Sequence, residues 1–508
     1  MSRVLKVLGL WLLVAAMVLL FTMWHWQQTE RDVDLYDIVM QLVVLPTALV
    51  GSWLLAMWGL QRWKDRKPAV QSDTAQQDGG VVGSADNSRH AYALVVDAAL
   101  HTRVGMDPSA ALSEVQSGEQ RPGLDPSLQD YEGMPVFSAR VEDVPVDELL
   151  PAPDEEGEVA YSEAAARAAF LLQAPCEQLM QSWSTLLETW AQSHAPSPSA
   201  EYEPADWSGK AYLSGVAHPK QREGQARTQQ LQWTVRLLLP ARWTVANHDL
   251  VVSQVRSRMM PLIEQAQSLG IAPPVWQVIP PATPDAWWLE WDQAVTRWHR
   301  EGSTEAMLIL AVDSAMDEAT VEQWQSIGEL FTAQHQTGRI PGEAATGLLV
   351  VSPALGAQLD AKAMPQQPIR LSRPVCLKRD KSADAAGRVG ATVLADAITQ
   401  ALDVAGLKAT ENMMVIADAD HRASRTSELF EALQSLIPGL DPTTQVARAG
   451  EVLGDVGVAR SLLSTALGCA AVWTAEGDSV ALATHVHAPH ERVVLALTAA
   501  GEVNAAAV

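Results

Sequence analysis

Apolar residues fall into runs of two kinds along this 508-residue chain. Two long runs stand near the start, 7–26 (VLGLWLLVAAMVLLFTMWHW) and 38–60. Each is long enough to cross the hydrocarbon of a bilayer. The first holds no Asp, Glu, Lys or Arg, and the second is interrupted only by Gln41, Pro46 and small residues. Trp24 and Trp26 at one end, and Trp58 and Trp63 at the other, match the interfacial aromatic belt. No small-residue cleavage site follows the first run, so it reads as a span rather than a signal peptide. Arg3 and Lys6 precede the pair, Arg62, Lys64, Arg66 and Lys67 follow it, and the connecting loop QTERDVDLYD holds one Arg against four acids. The positive-inside rule then predicts a transmembrane hairpin over residues 1–67 with both termini cytoplasmic.

The second kind of run is shorter and begins after a polar, Gly-containing stretch, 68–90, which reads as a flexible linker. Buried strands are expected at 92–97 (YALVVD), 231–239 (LQWTVRLLL), 306–312 (AMLILAV), 347–351 and 412–417, with an extended piece at 273–279. Helical spacing covers 162–183 with a break at Pro175, 249–269 with a kink at Pro261, 287–300, 318–335, 384–405, 427–436 and 458–471. An extended piece at 472–476 leads to a closing hairpin, 479–487 with 491–499, around Ala488 and Pro489. Strands alternating with helices predict a layered α/β sandwich. No internal repeat is visible by direct identity.

Composition narrows the partners. The 36 basic and 60 acidic side chains give a net charge of −24, which argues against nucleic acid. Three cysteines, Cys176, Cys376 and Cys469, are too few and too scattered for a disulfide framework or a thiolate metal site. No cofactor is implied. The acids of 142–163 read as a solvated segment, or as a docking surface for a basic partner.

Two stretches carry more than generic α/β character. The first, 305–353, has a strand ending in Asp313 and Ser314, then a helix, then a turn with Gly342, Glu343 and Ala344 leading into the next strand. The second joins VIADADHRASRTSELFEAL from Val415 to GEVLGDVGVARSLLSTALG from Gly450. Together they resemble β-ketoacyl synthases and other thiolase-fold proteins, and the resemblance covers roughly 306–508. It implies a thiolase-like fold with an N-terminal half over 91–375 and a C-terminal half over 376–508. In that family a cysteine nucleophile faces two histidines. Here the two histidine positions hold Asp418 and Asp455, and the window for the nucleophile, 280–293, holds no cysteine. An ionised aspartate cannot donate to an oxyanion and would oppose its charge. The resemblance therefore implies the fold and argues against the chemistry. A membrane-anchored, degenerate thiolase-like chain is similar to the type VI lipase adaptor family of Gram-negative bacteria. That resemblance implies a non-enzymatic inner-membrane adaptor whose large domain lies in the cytoplasm. Its expected partners are a lipase-type effector and a secretion spike protein, with homodimerisation expected by analogy. The other functional classes are a condensing enzyme and a membrane-anchored structural or regulatory protein.

Further residues carry candidate chemistry beside a plainer reading. His485, His487 and His490 in THVHAPHE can hold a metal, but with only Glu491 close in sequence they read as an exposed polar hairpin tip. Asp418, Asp420 and His421 can form an acid–base group, but read as turn and capping chemistry, with Ser424 or Thr426 capping the next helix. Gly454 and Gly457 hint at a phosphate-binding turn, which Asp455 between them would oppose. Cys469 reads as a packed core thiol.

Overall fold

A computed structural model describes residues 88–149, 161–194, 231–475 and 479–501. The expected hairpin over 1–67 and most of the linker lie outside these residues, as do Asp154, Glu155 and Glu156. Among the described residues, no helix is long and apolar enough to cross a membrane.

The chain opens with β1 (Tyr92–Thr102), α1 (Pro108–Ser117) and a small ribbon of β2 (Gly123–Gln129) and β3 (Pro135–Ser138). Next come α2 (Glu163–Leu171), α3 (Gln173–His194), β4 (Gln232–Leu238), α4 (Val245–Ser268) and β5 (Val275–Ile279). The middle holds α5 (Trp287–Glu301), β6 (Glu305–Ser314), α6 (Glu318–Ser326) and β7 (Glu343–Val351). It is followed by β8 (Ile369–Ser372), β9 (Val375–Lys378), α7 (Thr392–Ala405), β10 (Met413–Ala417), α8 (Ala423–Leu436) and β11 (Val446–Arg448). The last elements are α9 (Arg460–Thr474), β12 (Val480–His485) and β13 (Glu491–Ala499).

Eleven strands form one sheet in the order β11-β10-β12-β13-β8-β1-β7-β6-β4-β5, with β9 added beside β13. The order contains a repeat that residue identity hides. From each edge inward run three parallel strands, β5-β4-β6 on one side and β11-β10-β12 on the other. An antiparallel strand follows in each half, β7 or β13, and then the half's first strand, β1 or β8. The halves join where β1 pairs antiparallel with β8, from Tyr92 opposite Ser372 to Val95 opposite Ile369.

Side chains alternate across this sheet, so each strand feeds two cores. One face of β4, β6 and β7 (Val235, Leu308, Leu349) packs on α2, α3 and α4. The other face (Met307, Ile309, Leu348) packs on α5 and α9, which also cover the inner face of β12 and β13 (Ala483, Leu495). The outer face of the second half (Val415, Leu482, Val494) packs on α7 and α8. This is the expected layered α/β sandwich, with α5 and α9 as its shared central layer. Helix α5 earns that place with Trp287, Trp288, Trp291 and Trp298 on its buried face. Helix α9 is buried from Arg460 to Val472, and its small residues let the sheet come close. A methyl group added at Gly468 would sit 3.2 Å from Leu497 Cδ1.

Several expected boundaries move. The 162–183 helix breaks at Leu172 rather than at Pro175, which sits in the first turn of α3 where a missing N–H is harmless. The 318–335 helix stops at Ser326, because Gly328 turns into the left-handed region with φ 69°. Helix α7 starts at Thr392 rather than 384, and 472–474 continues α9 instead of extending.

Candidate functional site

The carboxyl ends of parallel strands β10 and β12 meet the turns that lead into α5 and α9, the position where open α/β sheets gather ligands. Asp418 follows β10, His485 ends β12, Asp285 lies in the 3-10 turn Pro284–Ala286 before α5, and Asp455 lies in the turn before α9. Ser461 ties the two turns together by donating to the Pro284 carbonyl at 2.6 Å.

The inner part of the cluster is Asp285, Asp418 and His485. Asp418 Oδ1 accepts the backbone N–H groups of Val486 (2.6 Å) and His487 (3.0 Å), so its carboxylate is fixed by the β12 end. Its Oδ2 faces His485 Nδ1 at 3.8 Å, and Asp285 Oδ1 lies 3.4 Å from the same nitrogen. The His485 ring stands edge-on against Trp288, centroids 5.5 Å apart. Asp418 Oδ2, both Asp285 oxygens and both His485 ring nitrogens have no hydrogen-bond partner among the described residues. One donor atom from each of the three residues falls within 4.8 Å of the others, so these are the residues that could hold a metal ion.

The outer part is a network of ion pairs. Arg339 Nε donates to Asp455 Oδ2 at 2.6 Å, and Arg422 Nε donates to Asp420 Oδ2 at 2.8 Å. Arg460 stands between the two parts, 3.8 Å from Asp285 and from Asp418 and 3.9 Å from Asp455. Its Nη1 contacts His487 Nδ1. That makes Nδ1 the acceptor and puts the ring proton on Nε2, 3.3 Å from Asp420 Oδ2. Burial pushes Asp455 upward, but the charges of Arg339 and Arg460, with the His487 ring beside them, outweigh it and hold the carboxyl well below the ordinary range. Burial is likewise outweighed at Asp420, where His487 and Arg422 hold the carboxyl low. A cleft of about 610 Å3 reaches this network past Pro284, Arg339, Arg422, Gly457 and His487.

The structure thus gathers Asp418, Asp420, Asp455, His485 and His487, and leaves out two other candidates. His421 packs edge-on against Phe331 with burial lowering its pKa, and His490 contacts the Arg379 carbonyl at 3.2 Å. The hairpin tip is not the exposed one expected: His485 and His487 are buried, because acids distant in sequence surround them. Capping by Ser424 or Thr426 is also corrected: the N-cap of α8 is Arg422 and no side chain caps it, while Thr426 donates to the Asp420 carbonyl. Gly454 and Gly457 adopt φ 65° and 51° around a buried carboxylate, leaving no cradle for phosphate. Asp285 and the arginines 339, 422 and 460 were not singled out from sequence. Asp285 lies inside the 280–293 window where the resemblance places the nucleophile, and its titratable side chain is the signal the sequence carries for it.

No thiol hydrogen-bonds to this cluster among the described residues, although the charge of Asp285 reaches Cys376 on β9. Cys176 belongs to the core under α3 and Cys469 to the central layer, as a packed thiol was expected to. Burial pushes Cys176 and Cys376 up to about 12, and Cys469 up as well. The residues carrying the ketosynthase resemblance act structurally. Asp313 pairs with Arg242 and accepts Val458 N–H at 3.0 Å, and Glu343 is enclosed by Arg167 and Ser314.

No family model and no curated protein matches this chain. Solved structures do. The chain is similar to the ishigamide ketosynthase/chain length factor at 14% identity and TM-score 0.46, covering 81% of this chain and 100% of that one. It is similar to an oxazolomycin ketosynthase domain from Streptomyces albus JA3453 at 11% identity and TM-score 0.48, covering 81% and 75%. A β-ketoacyl synthase from Burkholderia phymatum STM815 matches at 10% identity and TM-score 0.45, covering 81% and 100%. Likenesses this distant leave the site to be read from its own residues.

Proposed function

We propose that this chain is a thiolase-fold relative of β-ketoacyl synthases that does not transfer acyl groups. In this reading it is a membrane-anchored adaptor that binds a phospholipase effector and helps load it onto a type VI secretion spike. One observation carries the non-enzymatic part: among the described residues, the strand-end centre is built by the carboxylates of Asp285, Asp418 and Asp455, and no thiol takes part in its contacts. Acyl transfer through a thioester needs a thiolate, which these carboxylates do not supply. The outer network of Arg–Asp pairs suits a centre kept for shape rather than for turnover. The apolar runs 7–26 and 38–60 support the anchor, and the net charge of −24 favours a cargo with a basic or mixed-charge face.

The test uses the full chain solubilised from membranes. It should bind a co-expressed phospholipase effector and spike protein, with association slowed by salt, and should form no covalent acyl-enzyme with acyl-CoA or acyl-carrier substrates. No binding at micromolar concentrations would remove the adaptor reading, and acylation of Cys176, Cys376 or Cys469 would remove the non-enzymatic one.

A further inference from the structure

We infer that Asp285, Asp418 and His485 form a binding site for one divalent transition-metal cation of the zinc class. The inference stands apart from the adaptor reading, since it concerns what fills the centre and not what the surface binds.

Burial sets the problem. Asp285, Asp418 and His485 are 3%, 4% and 0% exposed. Two carboxylates held this close, away from water, repel each other unless a proton or a cation lies between them. The hydrogen bonds that usually settle such groups are missing, since five polar atoms of the trio have no partner among the described residues. Arg460 offsets part of this charge from one side but satisfies none of these atoms. Its nearest approaches to Asp285 and Asp418 are 3.8 Å, beyond hydrogen-bonding reach, and its guanidinium already contacts His487.

The donors are also preset. The two backbone N–H groups on Asp418 Oδ1 leave Oδ2 as the free ligand atom, and such outer contacts are what orient metal-binding carboxylates. Trp288 fixes the plane of the His485 ring. The three residues come from a 3-10 turn, the end of β10 and the end of β12, which are separate rigid elements. His485 Nδ1 is 3.4 Å from Asp285 Oδ1 and 3.8 Å from Asp418 Oδ2, close to the ligand spacing around a metal with bonds of about 2.1 Å.

Donor chemistry selects the ion. Two oxygens and one imidazole nitrogen suit Zn2+, Mn2+ or Co2+, whereas Mg2+ and Ca2+ prefer all-oxygen shells with more ligands. Three protein ligands leave at least one position for water.

The experiment strips the purified full chain with a chelator and titrates it with Zn2+. About one equivalent should bind at micromolar or tighter affinity. Asp285→Asn and His485→Ala should each weaken that binding about 100-fold, while His490→Ala should leave it unchanged. Mn2+-loaded wild type should show hyperfine coupling to one imidazole nitrogen, a reading that needs no variant to fold. Millimolar Mg2+ should not displace the bound ion. The proposal is overturned if stripped wild type takes up no zinc at about 10 µM free metal, if folded variants bind like wild type, if no nitrogen coupling is seen, or if Mg2+ competes.

Discussion

Glu343 shows what a single side chain is worth in this interior. It is fully buried, and its oxygens accept from Arg167 Nε (2.9 Å), Arg167 Nη2 (2.6 Å), Ser314 Oγ (2.9 Å) and Val141 N (2.8 Å). Removing one partner strands the other charge, so Glu343→Ala should cost about 3–5 kcal/mol, read as a shifted urea midpoint. Replacing both, Glu343→Leu with Arg167→Met, should cost less than either single change. Asp420 and Asp455 make a pH prediction. Their folded pKa values lie below the unfolded value of about 4, so the native state holds off protons that the unfolded chain takes up. The stability they contribute is complete at neutral pH and is lost as pH falls below about 4. Asp313 runs the other way, because burial outweighs Arg242 and raises it. The urea midpoint should therefore fall between pH 5 and pH 3, and fall less steeply in Asp455→Asn; an equal slope would refute the assignment to Asp455.

Helix α4 carries a proline in its interior, on an exposed position, and still holds its line of Val251, Val255, Met259 and Leu262 against the core. Pro261→Ala restores an N–H and removes a ring clash, so thermal stability should rise by the equivalent of about 1–3 kcal/mol. A lower melting temperature would mean that Pro261 itself is needed for packing. What could be read of such elements depended on their burial. The run 306–312 was legible because β6 is covered on both faces and is apolar throughout. Strands β8, β9 and β11 were not, being three or four residues long and defined by their neighbours rather than by any pattern of their own. The overrun of α6 past Ser326 has a similar cause: apolar spacing continues through Ile327 and Leu330, and only backbone conformation at Gly328 ends the helix.

At the scale of the whole molecule, the layers keep thiols from reagents. Cys176 and Cys469 lie in separate cores, and Cys376 is half-buried on β9 with a raised pKa. A thiol-reactive dye at pH 8 should label the native chain slowly and all three cysteines at once after denaturation; rapid native labelling would place a thiol at the surface. The same long-range assembly explains which parts of the centre were legible. Asp418 and Asp455 could be found because each follows a recognisable segment. The enclosure of His485 could not, because Asp285 arrives from two hundred residues away through the sheet order, and Ala488 and Pro489 next to it suggested an open turn. The central layer has one more consequence, for biosynthesis. Helix α9 covers the inner faces of both half-sheets, yet it leaves the ribosome after every strand of the first half. A nascent chain of about 450 residues has made β1, β4, β6 and β7 without that cover, and its exposed apolar slab is a binding surface for chaperones. Two topologically matching halves therefore do not make two independent folding units, and the first half must wait for the second to be sealed.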